Sequence, residues 1–415
     1  MTENPQKDIR RFHLRTVTPV HIGTREGKIT ALEFLVHNGR VHLVDDELLG
    51  QLLLEKGLLS RFIETVKSGP VNLARFLQQQ NLHLDQVVEN ISRQSIAKVP
   101  GELQDFRPFV RDGQGQVYLP GSAVKGVFRT AVLYRLLEDP RWKQRTEELV
   151  RTKTPCASPR REDTAYFSQN LLQRDALQNF KLPQHPDQRS GPHTDILRCL
   201  TVRDAYPADA AKTYVVPIDF LSKGKRKGFS FKQAPHGDKK LQVWVEAAFQ
   251  STFLLELSWD RALFEQFQRA NRGPFPVNGL EDLLAAVAEM NRDLANHEVE
   301  FYTPSSPAEA ASLKEAMQAK AQADDGLQAA NFLKDWYGKS GQNLLRLGFG
   351  SGMLSTTVSL RLPLTLRQKV RDHCGHRREG DEAPKSRRVW HYGKGQYFPL
   401  GWVRLDKLDT GEAQR

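Results

Sequence analysis

The sequence predicts an α+β fold, on three observations. Helical and strand-like periodicities intermix along the chain without the regular strand–helix–strand rhythm of a doubly wound parallel sheet. Asn38-Gly39 stands between apolar runs, the strongest short-range signal for an antiparallel hairpin. The strand-like segments 241–246 and 253–257 follow each other closely enough to pair as antiparallel neighbours.

The elements follow in order. Residues 11–17 alternate, with Phe12, Leu14 and Thr16 on one face and charges on the other, as in a half-buried strand. Thr18-Pro19 ends the alternation, and Val20-His21-Ile22-Gly23 leads into a loop. A second alternating stretch over 29–36 meets 41–44 across His37-Asn38-Gly39. Asp45 then caps a helical run bearing Leu48, Leu49, Leu52, Leu53 and Phe62, broken near Gly57. From Val117 the chain reads strand, turn, helix. Val117-Tyr118-Leu119 is apolar and Pro120-Gly121 turns. Ser122 is then the N-cap of a helix whose Val124, Val127, Phe128, Ala131 and Val132 share one face as far as Leu136. Residues 151–195 are polar and aperiodic, which predicts an insertion. Strand signals return at 200–202, 213–217 and 241–246, and helices over 261–270 and 280–295. A further helix is predicted from Ser306-Pro307-Ala308-Glu309, which supplies an N-cap, an N1 proline and an acidic N3, as far as Ala323.

Composition bounds the function. A chain of 415 residues predicts two to three domains, and 39% hydrophobic with 26% charged residues excludes a disordered or fibrous chain. No apolar run approaches the ~20 residues of a membrane-spanning helix, and the first residues lack a signal core. Three cysteines (Cys156, Cys199, Cys374) cannot build a disulfide scaffold, so the expected compartment is the cytoplasm. Sixty Lys plus Arg against 49 Asp plus Glu leave a net charge of +11, which favours a polyanionic partner.

Three constellations fit that partner. In Leu119-Pro120-Gly121-Ser122-Ala123-Val124-Lys125-Gly126, followed by Arg129, a helix N-terminus offers N–H donors to phosphate. Lys125 and Arg129 lie four apart on one side, and Gly126 admits a second backbone. A capped amphipathic helix with a solvated basic face explains the same residues. The run Arg346-Leu347-Gly348-Phe349-Gly350-Ser351-Gly352 can turn successive N–H groups towards an anion, or form a bend between strands. It is neither a Walker loop nor a dinucleotide fingerprint. Residues 223–240, with Lys223, Lys225, Arg226 and Lys227, carry +6, as do residues 361–394, with Tyr392, Tyr397, Phe398 and Trp402 among or after them. Charge with interleaved rings suits single-stranded nucleic acid. His373-Cys374-Gly375-His376 lacks a second pair at structural-zinc spacing, so no metal is expected. His21, beside Gly23, could act as a general base for RNA cleavage, or simply hold the loop by hydrogen bonds.

Taken in order, Thr18-Pro19-Val20-His21-Ile22-Gly23, the Pro120-Gly121 helix with Lys125, Gly126 and Arg129, and Leu347-Gly348-Phe349-Gly350-Ser351-Gly352 resemble the RAMP superfamily of CRISPR proteins. Within it the chain is most similar to the subunit of type III-A (Csm) effector complexes that caps the 3′ end of the guide RNA. Residues 195–204 and Pro399-Leu400-Gly401-Trp402-Val403 add to the likeness.

The resemblance implies two RRM-like (ferredoxin-like) domains with helical and loop insertions. Their expected extents are 1–235, with the polar insertion near 151–195, and 236–415, with a helical insertion near 260–335. It implies glycine-rich loops along a guide-RNA (crRNA) path, contacts with the adjacent backbone RAMP subunit and other Csm-type subunits, and target RNA close by. In related backbone subunits an Asp after the His-Ile-Gly motif cleaves target RNA. Here Glu26 and Glu33 are the only acids between His21 and Val44, so the expectation is a non-catalytic cap without cofactor. The alternatives are a metal-independent endoribonuclease processing CRISPR repeat RNA through His21, and a terminal subunit of a type III-B complex.

Overall fold

The computed structural model describes residues 6–24, 27–153, 172–182, 184, 185, 187, 189–224, 228–235, 239–271, 275–304, 325–339, 343–373 and 382–408. Two sheets organise them. Sheet I sets Leu344–Arg346, Trp402–Lys407, Lys7–Thr16, Thr252–Asp260 and Leu200–Val202 side by side in that order, with Tyr206–Pro207 also on the Thr252–Asp260 strand. Lys7–Thr16 buries the face its alternation predicts, Phe12, Leu14 and Thr16, and pairs with the Thr252–Asp260 strand from Lys7↔Asp260 to Arg15↔Thr252. Helices Gly121–Leu136, Arg261–Ala270 and Leu280–Tyr302 cover that face, where Leu14, Phe128, Phe253, Trp259, Phe267 and Leu283 share one core.

The spine of sheet II is Thr213–Gly224. One edge of it holds Gln242–Ala248 and Gly228–Phe231, and the other Ser92–Lys98 and Ser386–Gly393. The Ser92–Lys98 pairing is parallel, and every other strand pair among the described residues is antiparallel. At the far end Phe34–His37 and Arg40–Val44 form the predicted hairpin, with φ +48° at Asn38 and +70° at Gly39, both positive as a type I′ turn requires. The Asp45 carboxylate accepts the Glu47 and Leu48 N–H groups at 3.0 and 3.1 Å, capping helix Asp46–Glu55. That helix and its three successors up to Ile91 enclose a small core of Leu35, Leu53, Phe76, Leu77 and Ile91.

Four expectations change. The stretch 29–36 is divided, because Glu33 folds back to accept the N–H and hydroxyl of Thr30, both at 2.8 Å. Ile29–Thr30 pairs instead with Asp105–Phe106. Residues 117–119 make only isolated bridges, Arg111–Val117 and Leu119–Ala205. Gln242–Ala248 and Thr252–Asp260 do not pair with each other: the first joins sheet II, the second sheet I. The switch occurs where Gln250 takes φ +53° and the Ser251 N–H is held by the Thr16 hydroxyl at 2.8 Å. The helix from Leu280 runs past 295 to Tyr302, anchored by a buried ion pair of Glu298 with Arg387 at 2.7 Å.

Each sheet takes strands from both sides of residue 235, so a cut there would sever both. The predicted helix from Ser306, most of the polar insertion, Glu26, Cys156, Cys374 and His376 lie outside the described residues. Among the described residues no helix is long and apolar enough to cross a membrane.

Candidate nucleic-acid interface

Two of the three glycine elements converge. After its strand, the chain over 17–22 is stitched to the start of the Trp402 strand, to Ala248 of sheet II and to the glycine-rich loop. Val17 and Thr18 donate to the Trp402 carbonyl at 3.0 and 3.1 Å, Gly401 donates to the Pro19 carbonyl at 2.9 Å, and Phe349 donates to the His21 carbonyl at 2.8 Å. Gly348, at φ +79°, is required here, because a Cβ would lie 2.5 Å from the His21 carbonyl oxygen. Gly350 and Gly352 also take positive φ, and Gly23 faces the His21 ring.

His21 is 3% exposed. Its Nδ1 faces the Glu246 carbonyl at 2.7 Å, so Nδ1 carries the proton of the neutral ring. Phe109 and Phe349 meet the ring edge-to-face at 6.2 and 5.7 Å. Burial is the main cause that lowers its pKa from 6.5 to about 4; the Glu246 hydrogen bond raises it and Arg107 lowers it further. Glu246 is the hub of this corner and left no signal in the sequence. Fully buried, its carboxylate accepts the Phe109 N–H at 2.9 Å and pairs with Arg111. Desolvation pushes its own pKa up. A neutral, enclosed imidazole holding two loops together is a joint, and His21 itself is not exposed as a base.

The third element lies apart and is internally satisfied. The helix begins at Gly121, not after a Ser122 cap: Pro120 precedes it, and the Asp204 carboxylate accepts the Gly121 N–H at 2.7 Å. A Cβ on Gly121 would stand 2.2 Å from the Val202 carbonyl, so this N-terminus is pressed against the chain. Ser122 is exposed. Lys125 Nζ donates to the Leu200 carbonyl at 2.7 Å, and burial, then Arg129, lower its pKa. Arg129 pairs with the buried Asp195 at 2.7 Å. Gly126 is exposed with open space around its Cβ position, so among the described residues no second backbone approaches it.

Other predicted donors also point inward. Arg346 is 2% exposed, donating from Nε to the Leu400 carbonyl at 3.0 Å and from a terminal nitrogen to the Gly350 carbonyl at 3.2 Å. The Ser351 hydroxyl donates to the Gly348 carbonyl at 2.7 Å. Lys223 donates to the Phe301 carbonyl at 2.9 Å. Lys225, Arg226 and Lys227 lie outside the described residues. Among the described residues no group of His, Cys, Asp and Glu could hold a metal ion. Beside the glycine loop lie the exposed Arg107 and the half-buried Arg388, whose guanidinium carbons are 5.7 and 5.3 Å from the Phe349 ring centre. Only a general signal pointed there, the charge of residues 361–394 and a phenylalanine set between glycines.

The profile of the RAMP superfamily matches residues 13–353. The chain belongs to the RAMP superfamily. Two curated relatives carry the name CRISPR system Cms protein Csm5. That of Enterococcus italicus is 27% identical over 145 residues, 29% of this chain and 41% of its own length. That of Streptococcus thermophilus is 28% identical over 154 residues, 33% of this chain and 41% of its own. The matches thus span about two fifths of either relative. A chain from the cryo-EM structure of a type III-A Csm–crRNA–target RNA ternary complex is 22% identical, with a TM-score of 0.63 over 96% of this chain and 100% of that one. Crystalline T. onnurineus Csm5 is 18% identical, with a TM-score of 0.55 over 94% and 99%. At these identities the two structures share the RAMP fold, which accounts for the mixture of helices and antiparallel sheets.

Proposed function

We propose that this RAMP protein is a non-catalytic subunit of a type III-A CRISPR effector complex. In this reading it holds the 3′ segment of the guide RNA and ends the backbone filament. The observation that carries the reading is the agreement of the relatives: both curated matches are Csm5 proteins, and the fold follows a Csm chain end to end. Its partners are then the crRNA and other Csm-type subunits, above all the adjacent backbone RAMP subunit, with target RNA nearby. A head-to-tail filament continues unless its last member presents a different outer face, which insertions can supply. We read sheet I as one ferredoxin-like unit. Its strand–helix–strand–strand–helix–strand order, Lys7–Thr16 to Trp402–Lys407, gives the spatial order 4-1-3-2. Sheet II is then the second, more elaborated unit.

Enclosure of His21 supports the absence of catalysis. Deleting the gene from its host tests the role. Incomplete effector complexes and guides of altered 3′ length are expected; normal assembly with normal guides would refute it. Incubation with repeat RNA in EDTA tests the rival, since specific cleavage lost on His21→Ala would make the chain a processing enzyme.

A further inference from the structure

Phe349 belongs to a row of alternating cations and rings that crosses sheet II. Lys232 Nζ lies 5.9 Å from the Phe220 ring centre, and the Arg388 guanidinium 5.5 Å from Phe220 and 5.3 Å from Phe349. Arg107 follows at 5.7 Å from Phe349. The spacing is built in. Arg388 and Phe220 are direct cross-strand partners, Lys232 N–H bonds the Phe220 carbonyl at 2.9 Å, and Phe349 is fixed by its hydrogen bond to His21. Four of the five side chains are half-buried and Arg107 is exposed.

Among the described residues the two arginines of this row, Arg388 and Arg107, have no acidic partner. Burial, then the neighbouring cations Arg346 and Arg107, lower the Arg388 pKa. Its Nε is buried without a hydrogen-bond partner among the described residues. Cations gathered around rings without an acid repel one another, and a polyanion relieves that repulsion. Planar rings and guanidinium groups in alternation are also the surfaces on which unpaired bases stack.

We propose that Lys232, Phe220, Arg388, Phe349 and Arg107 form a track for single-stranded RNA, the cations on phosphates and the rings against bases. The proposal rests on the RNA-holding reading above and assigns it to one ring of the glycine loop, Phe349, and to four side chains outside the glycine motifs. The full-length chain, titrated into fluorescent oligouridine, tests it. Arg107→Ala is expected to weaken binding about tenfold and to reduce the slope of log affinity against log salt by about 0.7. Phe349→Leu is expected to weaken oligouridine binding about tenfold with the slope unchanged, and to leave binding to duplex RNA as it was. Since Arg107 is exposed, its variant keeps the fold even if Phe349→Leu does not. Wild-type binding with both variants within twofold would overturn the track alone. Failure of the wild-type chain to bind oligouridine would overturn the track and the reading beneath it.

Discussion

Lys125 and Arg129 carry the same charge as Arg107 and Arg388, yet the two pairs live in opposite surroundings. The first pair sits on the most motif-like helix of the chain, and each cation has an internal partner, the Leu200 carbonyl for Lys125 and the Asp195 carboxylate for Arg129. The other terminal nitrogen of Arg129 is buried without a hydrogen-bond partner among the described residues. The second pair comes from no motif, flanks one ring, and among the described residues has like charges, Arg346 and Arg107, beside its more buried member. A recurrent sequence pattern can thus be tied into the scaffold, while the proposed RNA track is assembled from residues far apart in the chain. What separates the two is whether the protein itself supplies the counter-charge.

That contrast can be broken at several points, the largest effect first. Asp195→Ala removes the partner of Arg129 and the carboxylate that caps Leu197 N–H at 2.9 Å. Leaving that cation unpaired costs about 3–5 kcal/mol, read by urea unfolding. RNA binding per folded molecule should not change; a selective loss of binding would return Arg129 to the interface.

The His21 joint predicts a pH dependence of up to about 3 kcal/mol. The unfolded histidine titrates at 6.5 and the folded one at about 4, so only the unfolded chain takes up the proton in between. The contribution is full above pH 6.5 and is lost as the pH falls to 4. Unfolding curves across that window should steepen relative to His21→Asn, and equal slopes would place the ring in solvent.

Lys125→Met keeps the buried stem but abandons the Leu200 carbonyl, for about 1–2 kcal/mol of stability. Its salt dependence of RNA binding should match the wild type, whereas a lower slope would mean that Lys125 reaches phosphate. Arg107→Ala should change stability by less than about 0.5 kcal/mol, checked by thermal melting. It is the smallest effect on folding and the one expected to weaken RNA binding.

Much of the fold was legible in local pattern. The Asn38-Gly39 turn, the Asp45 cap, the Gly57 break and the helix from Arg261 to Ala270 all follow from nearby residues. Pairing between distant strands was not. The strand reading of 241–246 and 253–257 is correct for each, but the Ser251 link to Thr16 that sends them to different sheets spans 235 positions. The site divides in the same way. His21 and the glycine run are visible as motifs, and their contact is a tertiary fact. Glu246 lies in an ordinary strand sequence, and only burial reveals it as the residue that holds His21, Phe109 and Arg111 together.

The most direct test of the account is a tagged pull-down from the native host, with sequencing of bound RNA and identification of co-purifying proteins. The account predicts guide RNAs with uniform 3′ ends, recovered with other Csm-type subunits. Recovery of the chain by itself with cleaved repeat fragments would contradict it.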